Sequence, residues 1–529
     1  MTQARGLTLW ALFGAVLPTL AVIVLTLLKT GGVWEYALDD VYIHLAMSEQ
    51  VAQGAYGVNG GESASASSSI LYSYLLAPFA GFGWQPYVPL TLGLGALIWA
   101  AILWARVLET AAVADDSPWR VSLFLLALLG PVFLHFPALS LIGMEHILHV
   151  CAALLVALGL IRFAQTGQVP WYLIAAIIVN PLLRFEGMAL ALFACAVLAF
   201  GGRWPLAVIT LIATALPMTV HFMHMSALGL DMLPNSVNAK AVVVGGGADV
   251  VAGAETGDRL LALKNSWKLA MISPSGRLLI GLILTLVFLL LSQRRKFSRV
   301  ELCLGATAML AAFAHVTLGS VLPFYRYEIY VWSFGAAVTV YLLSRIAVAS
   351  PRAQQLRAIF PVAALVIGGL HYPLTTFEKL PAGSAAIYAQ QRQMGRFVDD
   401  FWQAPIAVND LGHVAYRNPY YVLDLWGLAS AEALEARTSR ADPLWADKLA
   451  QKYDVKAAMI YRHWLAAHIP AGWQAVARLK LTIPRGTLGG NIVTIYATDP
   501  DDTAARDDLI GKLRAFAPTL PRSAELEFL

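Results

Sequence analysis

Residues 7–28 read LTLWALFGAVLPTLAVIVLTLL, and shortly afterwards residues 34–40 read WEYALDD. The first stretch carries no charge and has the roughly 17–25 residues needed to cross a bilayer. It is too long for a signal-peptide core and lacks a small-x-small cleavage pattern, so it reads as a retained helix that also directs insertion. The second stretch sets two adjacent acids, Asp39 and Asp40, just beyond that helix, at a membrane surface.

The rest of the chain repeats this contrast. Of 529 residues, 58% are hydrophobic and 13% charged, against roughly 25% charge in soluble globular proteins. The fold class is therefore a polytopic α-helical membrane protein. Apolar runs place spans near 7–28, 87–106, 119–136, 144–162, 170–182, 186–200, 204–226, 276–292, 300–321, 328–346 and 357–373, about 11 transmembrane helices. The net charge of +4 is modest, and the basic residues sit in short loops where they set orientation, which excludes nucleic acid as a partner. Cys151, Cys195 and Cys303 lie in apolar segments, with neither a disulfide framework nor metal spacing.

Alternate loops separate by charge. One set holds Arg5, Arg106 with Arg120, Arg162, Arg203, the basic run 293–299, and Arg345, Arg352 and Arg357, and is read as cytoplasmic. Asp115 and Asp116 offset the arginines in its poorest member. The other set, 29–86, 137–143, 183–185, 227–275, 322–327 and everything after about 374, is then the outer side. The N-terminus falls inside and the C-terminus outside. The short apolar stretch 67–83 is read as re-entrant or interfacial, because a crossing there would invert everything downstream.

From about residue 374 charges, prolines and turn residues return. Segments 404–410, 420–426, 457–461 and 491–497 read as short strands, with helical patterns at 431–436 and 443–452 between them. This predicts an outer α/β domain over 374–529, long enough to bury its own core.

The unusual polar clusters all fall on the outer side. Asp40 and His44 are four apart on a helix predicted to run to Gly54, and share a face. Two neighbouring carboxylates at low dielectric repel, which raises one toward general-base range; the alternative is that Asp39 or Asp40 simply caps the helix. Asn59 and the serines of 63–69 form a hydroxyl-rich stretch, either a flexible linker or a sugar-facing loop. Glu145-His146 opens a span, where capping is again an alternative. Arg184 and Glu186 flank a turn, as an ion pair between helices or as an anion site. Asn235 and Lys240 lie beyond another span, and Arg326-Tyr327-Glu328 begins a further one, where Tyr and Arg also serve as interfacial anchors. Several cations on the outer face run against the positive-inside bias, and a bound anion explains that. One-sided placement points to chemistry at a membrane surface, whereas transport would favour ionisable groups at mid-membrane.

These motifs in this order, Asp-Asp-x-Tyr-Ile at 39–43, Gly54-x-Tyr-Gly-x-Asn59, Gly-Met-Glu at 143–145, Arg-x-Glu-Gly at 184–187, Leu-Pro-Asn at 233–235 with Lys240, and Arg-Tyr at 326–327, resemble polytopic glycosyltransferases of the GT-C fold. They are most similar to the bacterial arabinofuranosyltransferase-like branch, whose members use polyprenyl-phosphate sugars to build cell-envelope glycans. Asn409-Asp410-Leu411-Gly412 and Asp424-Leu425-Trp426-Gly427-Leu428 resemble that branch's C-terminal domain.

The resemblance implies a GT-C-like catalytic domain over 1–373, with outer loops 29–86 and 227–275, and a periplasmic α/β domain over 374–529 in the bacterial inner (plasma) membrane. It implies inverting transfer from a polyprenyl-phosphate sugar to a glycan or lipid acceptor, without nucleotide sugars. Asp40 or Asp39 would be the base, and Arg184, Lys240 and Arg326 would bind the donor phosphate. Sugar and acceptor would meet His44, Asn59, Glu145, His146, Glu186, Asn235, Tyr327, Glu328, Asn409, Asp410, His413 and the face of Trp426. A divalent metal on Asp39, Asp40, His44 or Glu145 is an open alternative. The Ser-rich 63–69 and His146 depart from the family pattern, so no particular sugar is implied. The rival readings are a transporter or flippase of lipid-linked glycans, and a non-catalytic envelope scaffold.

Overall fold

The computed structural model describes the chain apart from residues 1–2, 113–116, 233, 236–255, 322–323, 347, 349, 440–441 and 466–467. The protein is mostly helical and divides into two compact units, one of 1–22, 90–221 and 244–377, the other of 23–89, 222–243 and 378–529.

The first unit is a helical bundle. Seven helical stretches among the described residues of the chain are long and apolar enough to cross a membrane: Arg5–Lys29, Gln85–Thr110, His146–Thr166, Gly187–Ala227, Pro274–Ser292, Arg299–Leu318 and Pro351–Trp402. Three shorter apolar helices, Pro118–Phe133, Trp171–Leu183 and Ile329–Ser344, accompany them. The spans predicted at 186–200 and 204–226 are two helices, Gly187–Leu198 and Trp204–Ala227, separated by a kink at Gly202. Gly202 sits in the left-handed region (φ 84°), a conformation open to glycine without a Cβ penalty. The Arg299–Leu318 helix starts in a capping box: Ser298 accepts the Glu301 N–H, and the Glu301 side chain accepts the Ser298 N–H. Ile329–Ser344 is buried along its whole length and packs against His146–Thr166 and Arg299–Leu318. The stretch 227–275, read as an outer loop, contains a helix, Thr256–Ile272.

The second unit is built on a six-stranded sheet: β1 Ile406–Val408, β2 Val422–Asp424, β3 Ala457–Ile460, β4 Gln474–Leu481, β5 Ile492–Ala497 and β6 Ala524–Phe528. Their order is β2-β1-β3-β5-β4-β6. β1 runs parallel to β2 and β3, with Ala407 opposite both Leu423 and Ala458, and the remaining pairs are antiparallel. β1, β2 and β3 are buried at every residue, as parallel strands covered on both faces require. Trp445, Leu449, Tyr496 and Trp473 pack with Leu423 and Ile460 in the core of this unit. The predicted Asp40–Ala52 helix forms and packs against the short helix Gly412–Ala415 that follows β1, so part of the 29–86 segment folds with the sheet.

Candidate functional site

In the sheet-bearing unit, Asp39 occupies the N-cap position of the Asp40–Ala52 helix but makes no side-chain cap bond there. Its carboxylate turns to the turn after β1, where it accepts the backbone N–H groups of Gly412 (2.6 Å) and His413 (3.0 Å). A Cβ on Gly412 would stand 2.2 Å from the Asp39 carbonyl oxygen and 2.6 Å from its carboxylate, so only glycine fits. Asp410 hydrogen-bonds the Asp39 carboxylate and accepts Gln391 Nε2 at 2.6 Å. Burial, then the Asp39 and Asp40 charges, hold the Asp410 carboxyl well above the usual aspartate range. Asp39, with two N–H donors, is the ionised partner, and Asp410 keeps the proton between them. Asp40 lies beside this pair and is partly exposed.

A second cluster touches the first through His413. Glu35 is fully buried and accepts the Tyr42 hydroxyl, His413 Nε2 (3.0 Å) and Arg392 Nη1 (3.3 Å). Burial raises its carboxyl, but His413, Tyr42 and Arg392 outweigh that and hold it below the usual glutamate range. Tyr42 stacks on His413 with ring centroids 3.6 Å apart.

Two asparagines predicted to face sugar hold backbone instead. Asn59 donates Nδ2 to the Val422 carbonyl (3.0 Å) and accepts the Val422 N–H (2.9 Å), closing the outer edge of β2. Asn409 does the same to Tyr461, donating at 3.1 Å and accepting at 3.0 Å. Each amide imitates a neighbouring strand and uses its oxygen and nitrogen on one residue. His44 shares a 3.1 Å hydrogen bond with Ser67 and meets Tyr72 edge-on. Asn235 donates its backbone N–H to Ser65 Oγ (3.1 Å). Trp426 lies beneath the Arg437 guanidinium and against Trp464. Lys240 is outside the described residues.

In the helical unit, the turn 184–186 joins Trp171–Leu183 to Gly187–Leu198. Arg184 makes a bidentate pair with Glu186 (2.9 and 3.2 Å) and a 2.5 Å pair with Glu145. A Cβ at Gly187 would stand 2.5 Å from Asn180 Oδ1, so the turn closes because residue 187 has none. Arg184 and Arg326 each lie 5.0 Å from the centre of the Tyr327 ring, and Arg326 donates to the Tyr327 hydroxyl at 3.0 Å. His146 meets Tyr327 edge-on. Glu328 accepts the Tyr372 hydroxyl at 3.2 Å. Arg184, Arg326, Glu145, Glu186, His146 and Tyr327 thus gather in one cluster, buried except at Glu186, while Glu328 pairs with Tyr372.

An apolar cleft of about 600 Å³ lies in the same unit, lined by Leu278, Leu282, Trp332, Phe360 and Leu365, with Arg277 and His371 as its charged and polar members. His371 lies tilted against Tyr372, the partner of Glu328, and meets Tyr325 edge-on. Through His371 the cleft thus touches the chain neighbour of Arg326.

Among the described residues, no group of three or more His, Cys, Asp or Glu is arranged to hold a metal ion. Sequence reasoning missed Glu35, Gln391 and Arg392. The acid preceding Tyr36 and the Gln390-Gln391-Arg392 run, polar residues beside apolar spans, were the available signals.

A family described as "Domain of unknown function (DUF8728)" matches residues 385–496. No curated protein matches the sequence. Among solved structures, the chain is similar to the Archaeoglobus fulgidus oligosaccharyltransferase in the apo form, at 13% identity and TM-score 0.46, over 93% of this chain and 75% of that one. It is also similar to AglB from Archaeoglobus fulgidus in complex with an inhibitory peptide and a dolichol-phosphate, at 12% identity and TM-score 0.44, over 93% and 74%. ArnT from Cupriavidus metallidurans bound to undecaprenyl phosphate is similar at 11% identity and TM-score 0.45, over 92% and 98%. At such scores the likenesses carry no weight for the chemistry, which is read from the side chains.

Proposed function

We propose that the protein is a GT-C-type membrane glycosyltransferase that moves a sugar, a hexose or a pentose, from a polyprenyl-phosphate donor to a glycan or lipid acceptor, with inversion, on the periplasmic face of the bacterial inner membrane. The observation that supports this reading is the apolar cleft, one of whose lining residues, His371, packs against Tyr325, the chain neighbour of Arg326. A lipid phosphate has that shape: a long apolar tail and an anionic head.

The donor's tail lies in the cleft, and its phosphate contacts Arg326 and Arg184; Lys240, which lies outside the described residues, is the third cation of this reading. Arg184 is held in place by Glu145 and Glu186, so its guanidinium is oriented before substrate arrives. As the bond between the anomeric carbon and the phosphate oxygen breaks, these cations stabilise the charge that collects on the leaving phosphate. An acceptor hydroxyl attacks the anomeric carbon, its proton passes to Asp40, and polyprenyl phosphate leaves. Asp39, tied to Gly412 and His413 and bonded to Asp410, keeps Asp40 in place and surrounds it with negative charge. Asn59 and Asn409 are positioning residues that fix β2 and β3.

The test is transfer from a purified, radiolabelled polyprenyl-phosphate sugar by the detergent-solubilised protein. Asp40→Asn is expected to lower turnover roughly 10²–10⁴-fold, as loss of a general base does. If Asp40→Asn and Asp39→Asn both turn over normally, no base resides here. If, in proteoliposomes of the same protein, the lipid-linked sugar crosses the membrane intact without transfer, the protein is a flippase.

A further inference from the structure

A second cavity, of about 280 Å³, lies inside the sheet-bearing unit among segments 34–42, 83–87 and 392–417. It is small beside most ligand sites, which run roughly 300–1,000 Å³, and suits one sugar ring with a charged substituent.

Three arginines, Arg392, Arg396 and Arg417, and one acid, Asp399, line it. Outside the lining, Arg392 pairs with Glu35, Arg396 with Asp400 and Arg417 with Glu49. Each guanidinium carries five N–H donors. Arg392 spends one on Glu35, Arg396 one on Gln393, and Arg417 one on the Phe82 carbonyl. All three side chains remain more than a third exposed. Glu35 pairs with Arg392 and is also held by His413 and Tyr42, whereas the Asp400 and Glu49 contacts are long, 3.9 and 4.0 Å, so an anion on Arg396 or Arg417 competes only with weak, partly exposed pairs.

The remaining wall is aromatic. Trp34, Tyr42, Tyr87 and Tyr416 line it. Tyr42 is locked by its stack on His413, and Tyr416 donates its hydroxyl to Gln85 at 3.2 Å beneath Arg417. Flat rings fixed in place offer a stacking face to the C–H side of a sugar at little entropic cost, and a planar guanidinium fork matches a carboxylate or phosphate. His413 joins the cavity to the candidate base, because its side chain lines the cavity while its backbone N–H holds Asp39.

We propose that this cavity binds an anionic sugar residue of the acceptor, a ring bearing a carboxylate or a phosphate, with the anion on Arg392 and Arg396 and the ring against the aromatic wall. That the ligand is the acceptor rests on the glycosyltransferase reading; that the cavity binds anionic sugar does not.

The test is calorimetric titration of the full chain in detergent with digalacturonic acid, with glucose 6-phosphate and with neutral cellobiose. One of the two anionic sugars is expected to bind at least tenfold more tightly than cellobiose and to weaken as salt rises. Whichever binds identifies the anion. Arg396→Gln is expected to weaken that binding at least tenfold, and Arg392→Lys, which keeps the charge but loses the fork, to weaken it less than Arg392→Gln. Equal affinity for cellobiose, no binding of either anionic sugar at millimolar concentration, or unchanged affinity in folded Arg396→Gln and Arg392→Gln proteins would overturn the proposal. Binding of uronate by a protein that never transfers sugar would sink the glycosyltransferase reading alone. Transfer to a neutral acceptor by a protein that ignores both anions would sink the cavity alone.

Discussion

The Asp39 carboxylate accepts the Gly412 N–H at 2.6 Å across 373 residues of chain, and the Gly412 Cα leaves no room there for a methyl group. The contact joins the two acidic motifs, Asp39-Asp40 and Asn409-Asp410, into one structure. Gly412→Ala would drive a Cβ into a backbone oxygen, which cannot move aside as a side chain end can. Overpacking of this kind costs roughly 1–3 kcal/mol. Gly412→Ala is therefore expected to lower the melting temperature and to reduce turnover by moving Asp40, both read on the purified protein. A melting temperature and turnover equal to wild type would show that the Asp39 contact is dispensable.

The Asp39–Asp410 pair makes a pH prediction. Both carboxyls are raised by burial, Asp39 to about 7 and Asp410 well above the aspartate range. A carboxyl whose folded value is raised contributes stability below its unfolded value, near pH 4, and loses it as pH climbs through the folded value. The stability of the protein is thus expected to decline as pH climbs from about 4, Asp39's share being lost by about pH 7 and Asp410's continuing to fall above it, by at most about 1.4 kcal/mol per pH unit for each proton released. Asp410→Asn keeps an N–H donor for Asp39 and an oxygen for Gln391 but has nothing to ionise. Its melting temperature should fall less steeply between neutral and alkaline pH, and an unchanged slope would assign the titration to other groups.

The two asparagine clamps predict stability effects without a substrate effect. Asn59→Ala leaves the N–H and C=O of Val422 without these partners, and Asn409→Ala does the same at Tyr461. Each buried polar group abandoned costs about 1–3 kcal/mol. Both variants are expected to melt earlier, with KM for donor and acceptor unchanged in the folded fraction. A raised acceptor KM at full stability would instead return these amides to the sugar site.

Much of the helical unit was legible because length and hydropathy are local properties. Boundaries such as Pro274–Ser292 and Trp171–Leu183 fall within a few residues of those read from the apolar runs. The break at Gly202 was legible too, since glycines beside an arginine read as a loop. In the sheet, β1, β2, β3 and β5 were visible as short apolar runs, whereas β4 and β6 mix exposed charges with buried apolar residues and signal weakly. At the site, residue types were legible and partners were not. Asn59 looks equally fit to hold a sugar hydroxyl or a strand edge, and only the fold reveals that Val422 lies opposite. Glu35 stood next to the quoted acids, but its partners His413 and Arg392 are contributed from the far end of the sequence.

The arginine cluster of the helical unit predicts opposite effects for two substitutions. Arg184 and Arg326 carry two positive charges, and Glu145 and Glu186 offset both. A lipid phosphate must therefore compete with a carboxylate for Arg184, and Glu186, whose side chain is 24% exposed, is easier to displace than the fully buried Glu145. Glu186→Gln keeps a side chain of the same length able to accept a hydrogen bond while removing its charge, which leaves the cluster net positive. Donor KM is expected to fall for Glu186→Gln and to rise for Arg326→Gln, each by about the 10- to 100-fold that one charge-assisted hydrogen bond, roughly 1.5–3 kcal/mol, commands. Added salt should narrow the gap between the variants only slightly, because buried charges are poorly screened. The measurement is KM for the polyprenyl-phosphate sugar in both variants at two salt concentrations. If Glu186→Gln weakens the donor as much as Arg326→Gln does, Glu186 serves to aim Arg184 and not to shield it, and the carboxylate is part of the phosphate site.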